Sequence, residues 1–175
     1  MAKSDTFTYE LRADCEPETA VTLLSDFSRH TELHPFIVKV TEVPPVDGAV
    51  RSFVINDRLA FGPLKFTTTY TADVLAINRP GPAEGPRACH AEVVTLARQR
   101  PGTTLRNTAR IYPVSDGGVR IEVKIRLTAP TPLFGYAFRT AQQAHRELAE
   151  RLTEVLEKAA GGTPDGVPPD LSGPQ

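Results

Sequence analysis

A chain of 175 residues can bury about two-thirds of its unfolded surface around one core and is too short for two comfortable domains. Its 20 Lys plus Arg against 21 Asp plus Glu give a formal net charge of -1, so no whole-molecule field favours a polyanion and nucleic acid is a poor partner. No stretch approaches the roughly 20 apolar residues of a membrane span, and Met1 to Arg12 lack the apolar centre of a secretory signal, so a cytoplasmic protein without an integral membrane segment is expected. Cys15 and Cys89 lie in unrelated segments with no CxxC or Cys/His ligand spacing, which suits two reduced thiols rather than a disulfide framework or a zinc site.

The first element expected is a strand from Thr6 to Ala13, where Phe7, Tyr9 and Leu11 alternate with Thr8, Glu10 and Arg12. A helix follows, with Pro17 in its first turn and Ala20, Val21, Leu23, Leu24 and Phe27 as its apolar stripe. A second short helix is expected over Ser28 to Leu33 with Ser28 as its cap, and Pro35 then forces His34 toward extended backbone. Six strand patterns succeed one another: Ile37 to Val43, Ala49 to Leu59, Leu64 to Ile77, Arg87 to Arg98, Thr103 to Val114 and Val119 to Ala129. Turn-forming residues separate them, among them Asp47-Gly48, Gly62-Pro63, the run Pro80 to Pro86 and Asp116-Gly117-Gly118. Consecutive hairpins of this kind make an antiparallel sheet. In the last strand Val119, Ile121, Val123, Ile125 and Leu127 face one way, and Arg120, Glu122, Lys124 and Arg126 the other.

From Pro132 to Ala160 the apolar residues Phe134, Ala137, Phe138, Ala141, Ala144, Leu148, Leu152, Val155, Leu156 and Ala159 recur at steps of mostly three or four. This is one amphipathic helix, capped by Thr131 and ended by Gly161-Gly162, with a length of roughly 43 Å at about 1.5 Å per residue. Such a length calls for a wide, curved sheet as its partner. Leu148, Leu152 and Leu156 are expected to close the core. The segment Gly162 to Gln175, with Pro164, Pro168, Pro169 and Pro174, has too little apolar surface to order itself and is expected to be a disordered tail after a single domain spanning 1–161.

The segment from Ala13 through Asp14, Cys15, Glu16, Pro17 and Glu18 to Phe27, continued by Glu32-Leu-His-Pro-Phe and by Val38-Lys-Val-Thr-Glu-Val, is similar to the opening of the SRPBCC superfamily. That superfamily groups START domains, birch-pollen-type allergens and polyketide cyclases. The resemblance covers about residues 6 to 160, although typical members carry Trp soon after the Pro-Glu start and this chain has none. It implies an α+β helix-grip fold: a curved antiparallel sheet of about seven strands around a long C-terminal helix, with two short helices after the first strand. It also implies an internal cavity for a hydrophobic small molecule; no cofactor is expected.

The residues themselves suggest a cavity of mixed character. In Phe66, Thr68, Tyr70, Ala72 and Val74 the inward face carries two hydroxyls, whereas Thr67, Thr69, Thr71 and Asp73 are expected to be solvated. Residues 51–59 leave the choice of face open, since Phe53, Ile55 and Asp57 share one side and Val54, Asn56 and Arg58 the other. An inward Asn56 or Arg58 would orient a carbonyl or carboxylate, and an inward Asp57 with a raised pKa would act as an acid or base. Asn107, between Leu105 and Ala109, is a further polar liner, and Phe134 and Phe138 are aromatic candidates at the cavity entrance. The ligand-binding set is therefore Phe53, Ile55, Asn56, Arg58, Tyr70, Asn107, Phe134 and Phe138, with no catalytic residue assigned and no metal. His30, His34, His90 and His145 are explained as neutral residues at a helix exit or on a strand surface. The chain has no GxSxG elbow, P-loop or GxGxxG turn.

Three functions compete. The first is binding or carriage of a lipid, isoprenoid, sterol or polyketide; the second is a polyketide cyclase- or dehydratase-like enzyme, favoured if two or more of Asn56, Arg58, Tyr70, His90 and Asn107 converge on one buried point. The third is a partner-binding module with an exposed groove.

Overall fold

The structure is a computed structural model that describes residues 1–34, 36–61, 64–80 and 88–161, with the backbone alone at 59–61 and 64–66. Pro35, Gly62-Pro63, the connection from residue 81, the Phe66 side chain and the 162–175 tail lie outside the described residues.

Seven strands form one antiparallel sheet: β1 (Ala2–Ala13), β2 (Ile37–Val43), β3 (Arg51–Phe61), β4 (Leu64–Asn78), β5 (Ala91–Gln99), β6 (Thr103–Pro113) and β7 (Val119–Pro130). Their spatial order is β1-β7-β6-β5-β4-β3-β2, so β2 to β7 form a meander and β1 closes onto the last strand. Between β1 and β2 lie α1 (Pro17–Ser25) and a short 3₁₀ helix (Phe27–Thr31); α2 (Thr131–Gly161) ends the domain.

Most differences from the sequence expectation are at element ends. β1 begins at Ala2 rather than Thr6 because its register with β7 continues to Ala2 opposite Pro130, and backbone pairing extends the strand through exposed polar residues that the apolar alternation does not mark. The second short helix is a 3₁₀ turn capped by Asp26, not Ser28, since the Asp26 carboxylate accepts from the Ser28 amide at 3.1 Å and its hydroxyl at 2.6 Å. Thr131 does not cap α2 with its side chain; its hydroxyl donates to the Met1 carbonyl at 3.0 Å and ties β1 to the β7–α2 corner.

Asp73 is a larger correction. Expected in water, it is 1% exposed on the convex face. Ser52, opposite it on β3, donates to its carboxylate at 2.6 Å and accepts from the Val46 amide at 3.1 Å, and Arg98 pairs with the other carboxyl oxygen. The β2–β3 connection thus folds over the sheet, and the buried acid is satisfied by a hydroxyl and a guanidinium.

α2 packs chiefly on β1, β7 and α1. Leu152 and Leu156 are buried with Val21, Leu23, Ile111, Ile121 and Ile125, which closes the core at the C-terminal half of the helix. Phe134 is buried against Leu127 and Ala129 near its start. A separate apolar cluster, Ile37, Phe53, Ile55, Ala72 and Val74, lies on the concave face of β2–β4, away from the strands on which α2 chiefly rests. Fully burying one such large side chain contributes about 1.5–3 kcal/mol. The inner helix residues between these regions, Ala137, Ala141 and Ala144, are small and only half-buried.

Candidate functional site

Strand register decides which residues share the concave face. Phe53 stands opposite Ala72, Ile55 opposite Tyr70 and Asp57 opposite Thr68, and since Phe53, Ile55 and Ala72 are all fully buried, Asp57, Thr68 and Tyr70 share the concave face with them. On β6, Asn107 stands between Thr95 of β5 and Ile125 of β7, both buried, so it too faces inward.

Four buried polar atoms have no hydrogen-bond partner among the described residues: Asp57 Oδ1, Thr68 Oγ1, Asn107 Oδ1 and His34 Nδ1. Asp57, Thr68 and Asn107 carry three of these on the concave face. His34, at the exit of the 3₁₀ helix, feels the charges of Glu147 and Arg151 and so lies on the α2 side. Buried polar groups are almost always paired, and each unpaired one costs about 1–3 kcal/mol. Asp57 and Thr68, direct cross-strand partners, put two of them side by side, the pattern of a site whose partners arrive from outside.

Burial also sets the charge states. It pushes the Asp57 carboxyl up from 3.8 to about 6. Burial, and then the Asp57 charge, push the Tyr70 phenol up, so Tyr70 is neutral. His145 on α2 is pushed down to about 4, chiefly by burial, and its Nδ1 lies 3.1 Å from the Tyr9 hydroxyl on β1. His30 is likewise pushed down to about 4 and holds the Leu23 carbonyl at 3.1 Å through Nε2. His34 is lowered mainly by burial, which Glu147 opposes and Arg151 reinforces. The interior thus combines neutral imidazoles and phenols with one carboxyl that ionises close to neutrality.

Of the residues singled out by sequence, Tyr70 and Asn107 lie on the polar concave face. Phe53 and Ile55 point the same way but are fully buried beneath it. Asn56 and Arg58 are on the opposite face, where Asn56 Nδ2 donates to Thr69 at 2.7 Å and Arg58 is exposed. Phe134 and Phe138 stack at 5.4 Å, and Phe138 meets Phe7 edge-on at 5.5 Å, which puts this pair on the β1–β7 side rather than beside Asp57. His90 is bound to Glu18 at 2.7 Å outside the concave face. Tyr70 and Asn107 share the concave face but stand apart in register, since Asn107 is level with Thr95 and Val74, four residues along β4 from Tyr70 and two strands away, and sharing a face is not the convergence on one buried point expected of an enzyme. The pair Tyr9 and His145 was legible in principle: Tyr9 alternates with the inward residues of β1, and His145 continues the 138, 141, 145, 148 spacing of the inner helix face.

His30 and His34 have the i, i+4 spacing of a helical metal pair, but His30 is committed to Leu23, and no group of three or more His, Cys, Asp or Glu able to hold a metal occurs among the described residues. A surface groove of about 850 Å³ lies elsewhere, at the β6–β7 turn, lined by Arg12, Tyr112, Asp116, Arg120 and Glu122 among others. Its central cation is already engaged, since Arg120 pairs with Glu10 and Glu122 and lies 4.4 Å over the Tyr112 ring. No helix among the described residues is long and apolar enough to cross a membrane.

The architecture has counterparts among solved structures. A START superfamily protein from Mycobacterium smegmatis superposes with a TM-score of 0.59 at 16% identity, covering 89% of this chain and 98% of that one. The fold is the START-like helix grip of the SRPBCC type. The same helix grip recurs in the aromatase/cyclase Zhui from a Streptomyces species, with a TM-score of 0.57 at 10% identity over 91% of this chain and 94% of that one. It recurs again in the di-domain aromatase/cyclase StfQ of steffimycin biosynthesis, with a TM-score of 0.62 at 15% identity over 90% of this chain and 52% of that one. No family model and no curated protein sequence matches this helix-grip chain.

Proposed function

We propose that this helix-grip domain binds an apolar small molecule between α2 and the concave face of β2–β6, with Asp57, Thr68, Tyr70 and Asn107 as its polar contacts. The observation that carries the reading is the pair of buried atoms on Asp57 and Thr68, without partners among the described residues, beside an apolar cluster that α2 does not chiefly cover. Ligand pockets combine a mostly apolar lining with a few convergent polar groups, and this face has that composition. The START superfamily and aromatase/cyclase structures support the reading at the level of the shared fold, and the ligand classes proposed are lipid, isoprenoid, sterol or polyketide. Native mass spectrometry of freshly purified protein, followed by solvent extraction, tests the proposal. A co-purifying apolar molecule is expected; an empty protein that also binds no member of a lipid and polyketide panel overturns it.

One observation favours a second reading, catalysis of the cyclase type. A carboxyl that ionises near pH 6 on the same face as a neutral phenol is suited to moving a proton on a bound chain. Under this reading Asp57→Asn abolishes turnover of a polyketide-like substrate while apolar ligand affinity persists. Under simple carriage no turnover exists to be lost.

A further inference from the structure

The unpaired carboxyl of Asp57 narrows the ligand class, and this narrowing rests on the reading of the concave face as a ligand site. We propose that the ligand is an apolar molecule bearing a basic amine, held as an ammonium ion by Asp57, Thr68 and Tyr70.

Among the described residues Asp57 Oδ1 is buried without a partner, and burial is the influence that displaces its ionisation, with no cation contributing. The two arginines of β3 and Lys3, among the described residues, lie elsewhere. Arg58 is exposed on the opposite face; Arg51, at the other end of β3, pairs with Glu42 at 2.8 Å and Asp26 at 3.3 Å and lies over the Phe53 ring at 4.9 Å. Lys3 lies 4.9 Å over Phe134, on the β1–β7 side. Among the described residues no Lys, Arg or His forms an ion pair with Asp57.

A carboxylate in apolar surroundings is strongly unfavourable unless a cation and hydrogen-bond donors meet it. The groups beside Asp57 are neutral oxygens. Thr68 is its direct cross-strand partner and has a hydroxyl without a partner among the described residues, while Tyr70 is two residues along β4 on the same face. One carboxylate and two neutral oxygens complement a primary ammonium, which carries one positive charge and three N–H donors. An alcohol brings a single donor and no charge. The apolar cluster of Ile37, Phe53, Ile55 and Ala72 next to this corner requires the rest of the molecule to be hydrophobic.

The test is a displacement titration. Diphenylhexatriene, an uncharged apolar fluorophore, is bound first, and naphthylethylamine and its neutral analogue naphthylethanol then compete for it at neutral pH. The amine is expected to displace the probe at least about tenfold more tightly than the alcohol, a preference that disappears in Asp57→Asn. Equal affinities, a tighter alcohol, or a preference that survives in Asp57→Asn overturns the amine inference while leaving the apolar site standing. Failure of the fluorophore and both competitors to bind overturns the site itself, and the inference with it.

Discussion

Thr68 stands directly opposite Asp57 on the concave face, and neither the threonine hydroxyl nor one oxygen of the carboxyl has a partner among the described residues. Two unpaired polar groups side by side are a stability defect that a bound molecule can repair. Replacing Thr68 by Val keeps the shape and removes the orphan hydroxyl. The Thr68→Val protein is expected to match or exceed the parent in urea stability when empty and to bind its apolar ligand more weakly; a loss of stability above about 1 kcal/mol would mean that the hydroxyl has a partner.

The Asp57 carboxyl gives a pH-dependent version of the same argument. Its folded value, about 6, lies above the unfolded 3.8, so the folded chain binds more protons between these values and stability falls as pH rises through them. Asp57→Asn removes that loss. Thermal denaturation is expected to place the variant above the parent near pH 8, with the difference shrinking toward pH 4 and vanishing below about pH 3, where the parent carboxyl is protonated in both states.

His30 and His145 act with the opposite sign. Each falls from 6.5 to about 4 on folding, so the unfolded chain binds protons first and stability is lost as pH drops from about 6.5 toward 4, by roughly 3 kcal/mol each. His30→Gln, which retains a donor for the Leu23 carbonyl, is expected to flatten this acid limb in urea titrations at a series of pH values. An unchanged slope would show that His30 is protonated in the folded protein.

The convex network around Asp73 predicts a substitution far from the site. Ser52→Ala removes the hydroxyl that donates to Asp73 and accepts from the Val46 amide, leaving a buried carboxylate oxygen and a backbone N–H without that partner. A loss of about 2 kcal/mol in urea unfolding is expected, with ligand affinity unchanged.

The β6–β7 turn allows a comparison within one dipeptide. Gly117 and Gly118 both have positive φ, at 91° and 82°, but a Cβ on Gly118 would collide with the Ala13 carbonyl whereas one on Gly117 meets open space. Gly117→Ala is expected to cost about 1 kcal/mol from backbone strain alone, and Gly118→Ala clearly more, since β1 must shift away from the turn. Equal melting temperatures for the two variants would refute the close approach.

Much of the fold was legible because its signals are local. The period-two alternation of Val119 to Leu127 and the helical stripe from Phe134 to Leu156 report burial of one face, and Gly and Pro mark the turns between. The candidate site was legible only in part. Tyr70 and Asn107 could be turned to the concave face from the sequence because a polar residue interrupts an inward apolar series, but Asn56 and Arg58 share a strand with Phe53 and Ile55 and no local signal chooses their face. Asp73 was misread because the cover over it, the turn at Val46 and the Arg98 side chain, comes from elsewhere in the chain.

The sequence by itself determined the order of elements, the antiparallel meander and the long closing helix, because backbone preference and apolar period act within a few residues. Only the tertiary structure decided that Asp57 faces inward beside Thr68, that Phe134 and Phe138 belong to the β1–β7 side, and that α2 rests chiefly on β1, β7 and α1. Those outcomes depend on cross-strand register and on which strands the helix covers. A shift of one residue in register turns every side chain of a strand to the other face, and pairings between segments far apart in the chain set that register.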